Sequence, residues 1–294
     1  MRSIRLTFKA VCQLYTLNYT IRTNWIYYKF ALVRLAPCSR LWLASGPVLA
    51  LSLFKKSESH GENKAVERKK IIEKVDALYE TYLIDLAYSF LSEYKDCDDA
   101  ELLWRLGRIT CDRAKLAQNP KDREMLMKEA FAYAKRSLEL DDQNWAVHKW
   151  YAILLNYTAE YEGTKAVIQS ALTVKEHFER AVELNPADAT TWHLLGVWCM
   201  SLAELPWYKR KIASAIYASP PESSHEEALD YFLKAEEMEP NFYSQNLLYL
   251  AKAFLALGKR EAAKQYLEKT LKYVVVTADD QAAHEEAENL IKKL

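Results

Sequence analysis

A basic run in the second half of the chain is the strongest candidate for a binding site. It lies in the stretch AELPWYKRKIA, at residues 203–213, and is the densest run of cations after residue 70. The proline and the two aromatic residues before the cations are expected to anchor the stretch on a folded body, which leaves the cations free to approach an acidic surface. The alternative is that the cations are ordinary solvated residues of a short helix. The predicted partner-binding residues are Trp207, Tyr208, Lys209, Arg210 and Lys211.

A second candidate surface is aromatic. Stacked helical repeats form a concave groove, and Trp and Tyr side chains can line such a groove. A groove of this kind would receive a peptide helix or a lipid tail. The alternative is that these side chains are ordinary members of a hydrophobic core. The predicted groove residues are Trp150, Tyr151, Trp192, Trp198 and Tyr231.

Patterns for catalysis and metal binding are missing from the sequence. It has no glycine-rich phosphate loop, no H-E-x-x-H and no nucleophile motif. The five cysteines are scattered, without a C-x-x-C or a histidine at zinc-ligand spacing, which favours a reducing compartment over a disulfide scaffold or a metal site. The run His225-Glu226-Glu227 follows two prolines and is interpreted as a helix start, and His148 as a residue on a helix face. We therefore expect no enzyme, no cofactor and no metal.

The zero net charge hides an asymmetry between two parts of the chain. Residues 1–57 contain nine Lys and Arg and no Asp or Glu. Residues 58–294 hold the other 31 basic residues and all 40 acidic residues, which gives a net charge of −9. A body of that sign repels polyanions on average, so nucleic acid is not an expected partner.

The basic N-terminal segment, residues 1–57, predicts targeting or anchoring. An acid-free, Arg-containing start is typical of a mitochondrial transit peptide. Membrane attachment is the rival prediction, because an uncharged apolar run covers 41–54. As a helix that run is about 21 Å long against a bilayer core of about 30 Å, and it contains Gly46 and Pro47. A disordered start is the third alternative, and residues 58–64 are expected to be a hydrophilic linker.

The stretch KEHFERAVELNPADATTWHLLG, at residues 175–196, predicts the unit from which the body is built. It is similar to the closing half of one tetratricopeptide repeat, A-x3-F-x2-A-x4-P, followed by the opening half of the next, W-x2-L-G. Small residues allow helices to approach closely, and proline ends a helix. The matching residues are Phe178, Ala181 and Pro186 in the closing half, and Trp192, Leu195 and Gly196 in the opening half.

The same periodicity extends over residues 65–294 and predicts an all-α, tetratricopeptide-like helical repeat solenoid with inserted helices. Two insertions interrupt the repeats. The first, Glu160 to Val174, is expected to fold as a helix of its own. The second, of about twenty residues, contains the basic run described above. A helix from about Asp279 to Leu294 is expected to cap the stack.

Five blocks of this sequence resemble the regulator of microtubule dynamics family. The resemblance implies a non-enzymatic repeat protein associated with microtubules and the spindle, with no catalytic residues. It also implies that some members are mitochondrial or membrane-anchored forms linked to organelle contacts and lipid handling. The blocks are DAELLWRLGR at 99–108, HKWYA at 148–152, KEHFERAVELNP at 175–186, AELPWYKRKIA at 203–213 and PNFYSQNLLYLAK at 240–252.

The hypothesis from the sequence is therefore an adaptor or scaffold that binds microtubules or tubulin, in the cytoplasm and on the cytoskeleton or spindle. A mitochondrial location follows if residues 1–57 act as a targeting signal, and membrane contact through the same residues is open. The alternative function is a mitochondrial or membrane-contact module that binds lipid or a partner helix in the repeat groove.

Overall fold

The computed structural model describes residues 55–217 and 220–294, with side chains from residue 64 onward. In these ranges all regular structure is helical, with twelve α-helices and one short 3-10 helix. The predicted all-α repeat architecture is confirmed. The helices are α1 Lys55–Glu80, α2 Ile84–Leu91, α3 Ala100–Leu116, α4 Pro120–Leu140, α5 Trp145–Glu162, α6 Thr164–Leu184, α7 Ala189–Ala203, α8 Trp207–Ile216, α9 His225–Met238, α10 Ser244–Ala256, α11 Arg260–Lys272 and α12 Ala278–Ile291, with the 3-10 helix at Ser92–Tyr94.

The predictions for the start of the chain fall mostly outside these ranges. Residues 1–54, and with them most of the predicted targeting or anchoring segment, are not described. The stretch expected to be a linker, 58–64, is helical and belongs to α1. His60–Leu294 forms one compact unit by its internal contacts, and the predicted division of the chain into segment, linker and repeat domain stays a prediction.

Short polar side chains start many of the helices. Each accepts a hydrogen bond from one of the first backbone N–H groups, which have no partner inside a helix. At the start of α3, the Asp99 side chain accepts from the backbone N–H of Glu101. In α12, the capping residue and the third residue of the helix satisfy each other's backbone N–H groups. The capping residues are Asp99, Asn119, Asn144, Asp188, Ser224 and Thr277.

The expectation of a separate helix for Glu160 to Val174 is wrong. Residues 160–162 are the end of α5, and helix α6 runs unbroken from Thr164 through the rest of this stretch into the repeat residues that follow it. Its sequence has no glycine or proline after Thr164 that would end it. The break lies earlier, at Gly163, where φ is +98° and only glycine fits without strain. The first insertion therefore lengthens α5 and α6 instead of adding a helix.

The body is a series of helical hairpins, α3 with α4, α5 with α6, α7 with α9, and α10 with α11, and α12 packs on the last pair. The repeat residues predicted as core are buried: Phe178, Ala181 and Leu195 are each at most 4% exposed. The indole N–H of Trp192 donates to the carbonyl of Pro186 over 2.8 Å. That hydrogen bond links the two halves of the repeat pattern across a turn.

Helix α7 approaches α9 very closely at Gly196. A Cβ atom built on this glycine would lie 2.5 Å from the ring of Phe232, which is fully buried and has no room to move away. We expect Gly196→Ala to raise helix propensity by ~1 kcal/mol and still lower the free energy of unfolding by roughly 1–3 kcal/mol, through overpacking. Urea unfolding of the full chain measures this. Gly196→Ala combined with Phe232→Leu should recover part of the loss, and a single variant as stable as the parent would contradict the packing argument.

A buried histidine makes the fold sensitive to acid. His193 is 4% exposed, and its Nδ1 lies 3.1 Å from Oδ1 of Asn246. Burial lowers the pKa of His193 to about 4, although the Asn246 hydrogen bond opposes the shift. In the unfolded chain His193 has an ordinary histidine pKa near 6.5. Between these two pKa values the side chain is therefore protonated in the unfolded chain and neutral in the folded one.

Stability should therefore fall as the pH is lowered from about 6.5 to about 4, by ~3 kcal/mol from this residue alone. His177, whose pKa is also lowered to about 4 by burial and by the charge of His148, adds to the same loss. Thermal unfolding across this pH range tests the point. His193→Gln should flatten the pH dependence, and an unchanged slope would exclude His193 as its source.

Candidate functional site

Helix α8 is an insertion between two helices that pair with each other. Helices α7 and α9 form one hairpin, and α8 lies on the chain between them. It starts after Pro206, which has no N–H to continue the helix before it. Only Ala213 of its ten residues is buried. The predicted partner-binding residues occupy its first five positions, so the structure brings them together on one short, exposed helix.

The aromatic residues of α8 do not anchor it, which corrects the expectation from the sequence. Trp207 is 71% exposed and Tyr208 is 50% exposed. Their rings contact each other edge to face, with centroids 6.2 Å apart. Helix α8 turns its Ala213 side to the body and leaves these two rings in solvent. The two rings therefore belong to the candidate surface itself.

The three cations of α8 have different surroundings. The Lys211 ammonium lies 5.1 Å from the centroid of the Trp207 ring, within cation–π range. Lys209 is half-buried. The Arg210 guanidinium donates from Nε to the carbonyl of Leu205 over 2.9 Å, and from Nη2 to the carbonyl of Ala203 over 3.2 Å. Arg210 therefore satisfies carbonyls at the end of α7, where helical partners are missing.

A cavity of about 350 Å³ lies beside α8. Its polar lining is confined to a few residues, including Glu160 and its neighbour Asn156, whose amide donates to the Glu160 carboxylate over 3.2 Å. Partial burial raises the pKa of Glu160, and this hydrogen bond offsets part of the shift. The remaining lining is largely apolar and comes from α5, α6, α7, α8 and the adjoining loops: Ile153, Tyr157, Val167, Ile168, Ala171, Val174, Phe178, Leu194, Val197, Trp198, Leu202, Leu205, Ala213 and Pro221.

The five predicted groove residues are not brought together. Trp198 lines the cavity beside α8, and its indole N–H donates to the Ala171 carbonyl over 2.9 Å. Tyr151 lines a different, more polar cavity of about 460 Å³. Trp192 and Tyr231 stack on each other in the core, with their ring centroids 6.0 Å apart. Trp150 packs in core clusters nearer the N-terminal end. Only Trp198 is placed at the apolar cavity.

Sequence reasoning missed the apolar cavity and one residue beside it. The first half of α6 supplies a wall of the cavity, and the apolar spacing of Val167, Ile168 and Ala171 was the available signal. Tyr217 follows α8, and its hydroxyl lies 2.9 Å from the carbonyl of Ile168 and 2.7 Å from that of Gln169. A tyrosine next to a chain turn gives no sequence signal for such a contact.

The described part of the chain has neither a metal-ligand cluster nor a helix that could span a membrane. Within 55–217 and 220–294, the acidic, cysteine and histidine side chains do not form a group of three or more that could hold a metal ion. The helices in these ranges also lack a segment long and apolar enough to cross a bilayer.

His148, predicted as a helix-face residue, contacts the Asp142 carbonyl at 2.8 Å through Nε2 and His177 at 2.7 Å through Nδ1.

The chain is similar in sequence to proteins that share one name, and in fold to a solved helical-repeat structure. The chain is 45% identical over 234 residues to regulator of microtubule dynamics protein 1 of Bos taurus, covering 79% of this chain and 74% of that protein. It is 36% identical over 194 residues to regulator of microtubule dynamics protein 3 of Xenopus laevis, covering 66% and 42%. The crystal structure of a thermophilic TPR protein from Thermus thermophilus superposes with a TM-score of 0.54 at 15% identity, covering 75% of this chain and 98% of that one, and shows the fold.

The family model described as regulator of microtubule dynamics protein 1-3 matches residues 71–294, which include every helix from α2 onward and part of α1. The resemblance carried by the five sequence blocks is thereby confirmed, and the chain belongs to the regulator of microtubule dynamics protein 1-3 family.

Proposed function

We propose that this chain is a non-enzymatic adaptor that contacts microtubules through helix α8 and contributes to microtubule or spindle organisation in the cytoplasm. The observation that carries the proposal is the exposed pairing of aromatic rings and cations on α8, on a body whose net charge is −9 from residue 58 onward. A microtubule has an acidic surface, so such a body needs a local basic site to approach it.

The composition of α8 supports a protein contact. A tryptophan that is 71% exposed is costly to leave in water, and Trp, Tyr and Arg are the residues most enriched at the energetic centres of interfaces. The related proteins carry names that refer to the regulation of microtubule dynamics. A stack of repeats without a catalytic motif fits an adaptor, which acts by holding partners.

Lys209 and Lys211 are the cations to test, because a charge reversal at Arg210 would also remove its hydrogen bonds to the carbonyls at the end of α7. We expect Lys209→Glu combined with Lys211→Glu to weaken microtubule binding of the full chain by ~10-fold at physiological salt, the effect of two lost exposed charge contacts of up to ~1 kcal/mol each. Co-pelleting with polymerised microtubules at low and physiological salt measures the change.

The matched control is Lys264→Glu combined with Lys269→Glu, which makes the same charge change on exposed residues of α11. It should pellet almost as well as the parent. Equal losses in the two double variants would mean that binding follows net charge alone, and full binding by the α8 variant would remove α8 from the contact.

A second candidate function is a mitochondrial or membrane-contact module that binds lipid or a partner helix. The apolar cavity of about 350 Å³ favours it, because its volume falls in the range of small-molecule sites. Residues 1–57 would supply the mitochondrial or membrane address in this case.

This candidate predicts lipid in the purified protein. Organic extraction of the full chain followed by mass spectrometry should recover a lipid in a near-constant ratio to protein, and Ala171→Phe, which fills the cavity, should remove most of it. An equal amount of lipid from the filled variant would place the lipid elsewhere and reject the cavity as its site.

A further inference from the structure

Helix α8 is held much less firmly than its neighbours. One of its ten residues is buried, whereas eight of the fifteen residues of α7 are. Helix α8 packs against α6, and its two isoleucines, Ile212 and Ile216, are only partly covered. Segments with so few buried contacts are the ones that open locally at low free-energy cost.

Two side chains attach α8 at its opposite ends, and both donate to backbone carbonyls. Arg210 binds the carbonyls of Ala203 and Leu205, at the end of α7. Tyr217, directly after α8, reaches the carbonyls of Ile168 and Gln169 inside α6. Those two carbonyls lie within a continuous helix and accept its own hydrogen bonds as well, so they keep a partner when Tyr217 leaves. Releasing Tyr217 therefore strands no buried group.

The inner side of α8 forms part of the cavity wall. Ala213, its one buried residue, lines the apolar cavity, as does Leu205 just before the helix. Helices α5, α6 and α7 form the other walls. Moving α8 outward would consequently uncover the cavity without disturbing the α7–α9 hairpin, since that pairing does not pass through α8.

We propose that α8 is a hinged lid over the apolar cavity, closed by Arg210 and Tyr217, and that an uncharged apolar molecule enters when the lid swings out. The hinge is the turn at Leu205 and Pro206, where the proline interrupts the helical backbone. The lid rests on the second candidate function, because it regulates access to the cavity that function uses. Its motion is a separate property that can be measured without a ligand.

The test is the rate at which the full chain takes up the uncharged dye Nile red, followed by stopped-flow fluorescence. Tyr217→Phe should speed uptake about fivefold, the rate factor for one hydrogen bond of ~1 kcal/mol, and Arg210→Gln should speed it at least as much. Tyr161→Phe on α5 and Lys264→Gln on α11, both exposed and outside the cavity lining, are the matched controls, and each should leave the rate within a factor of two. Ala171→Phe should abolish most of the fluorescence change.

Hydrogen exchange of the backbone amides tests the opening of α8 without the dye. Amides of 207–216 should exchange much faster than those of α7, and Tyr217→Phe should accelerate the α8 amides alone. The lid proposal is overturned if the amides of α8 exchange as slowly as those of α7. It is also overturned if neither Tyr217→Phe nor Arg210→Gln changes the rate of dye uptake. If Ala171→Phe leaves dye binding intact while α8 exchanges fast, the lid stands and the cavity-binding function is what fails.

Discussion

The close approach of α7 to α9 at Gly196 is the constraint on which the rest of this body depends. The ring of Phe232 occupies the space where any other residue would place its Cβ. This contact pairs two helices that are separated on the chain by more than twenty residues. The Trp192 indole, bonded to the carbonyl of Pro186, fixes the turn that brings α7 back onto α6. Together these contacts continue the repeat stack through the insertion.

The pairing of α7 with α9 leaves α8 outside the core, and its properties follow from that position. A helix with one buried residue can present aromatic rings and cations to a partner because few of its side chains are needed for stability. The same weak attachment makes it the movable wall of the cavity. Arg210 belongs to both roles, since its cation lies in the basic run and its N–H groups close the helix against α7.

Local patterns in the sequence were enough for the repeat, and long-range packing was not readable from it. The spacing of Phe178, Ala181 and Pro186 predicts a buried helix face and a stop because those effects act within a few turns. The separate helix expected before residue 175 was wrong, since helix continuity depended on the break at Gly163. The anchoring role expected for Trp207 and Tyr208 was also wrong, because which side of α8 meets the body depends on Ala213. The apolar cavity has walls from four helices and could not be predicted from any one of them.

Oxidative footprinting of the full chain, free and bound to polymerised microtubules, shows whether the first residues of α8 are covered in the complex. Hydroxyl radicals label exposed aromatic and sulfur side chains, and Trp207 and Tyr208 are both accessible in the free protein. A contact through α8 predicts strong protection of these two residues on binding, with Met125, which is 62% exposed on α4, labelled as before. Unchanged labelling of Trp207 in a sample that has bound microtubules would contradict a contact through α8.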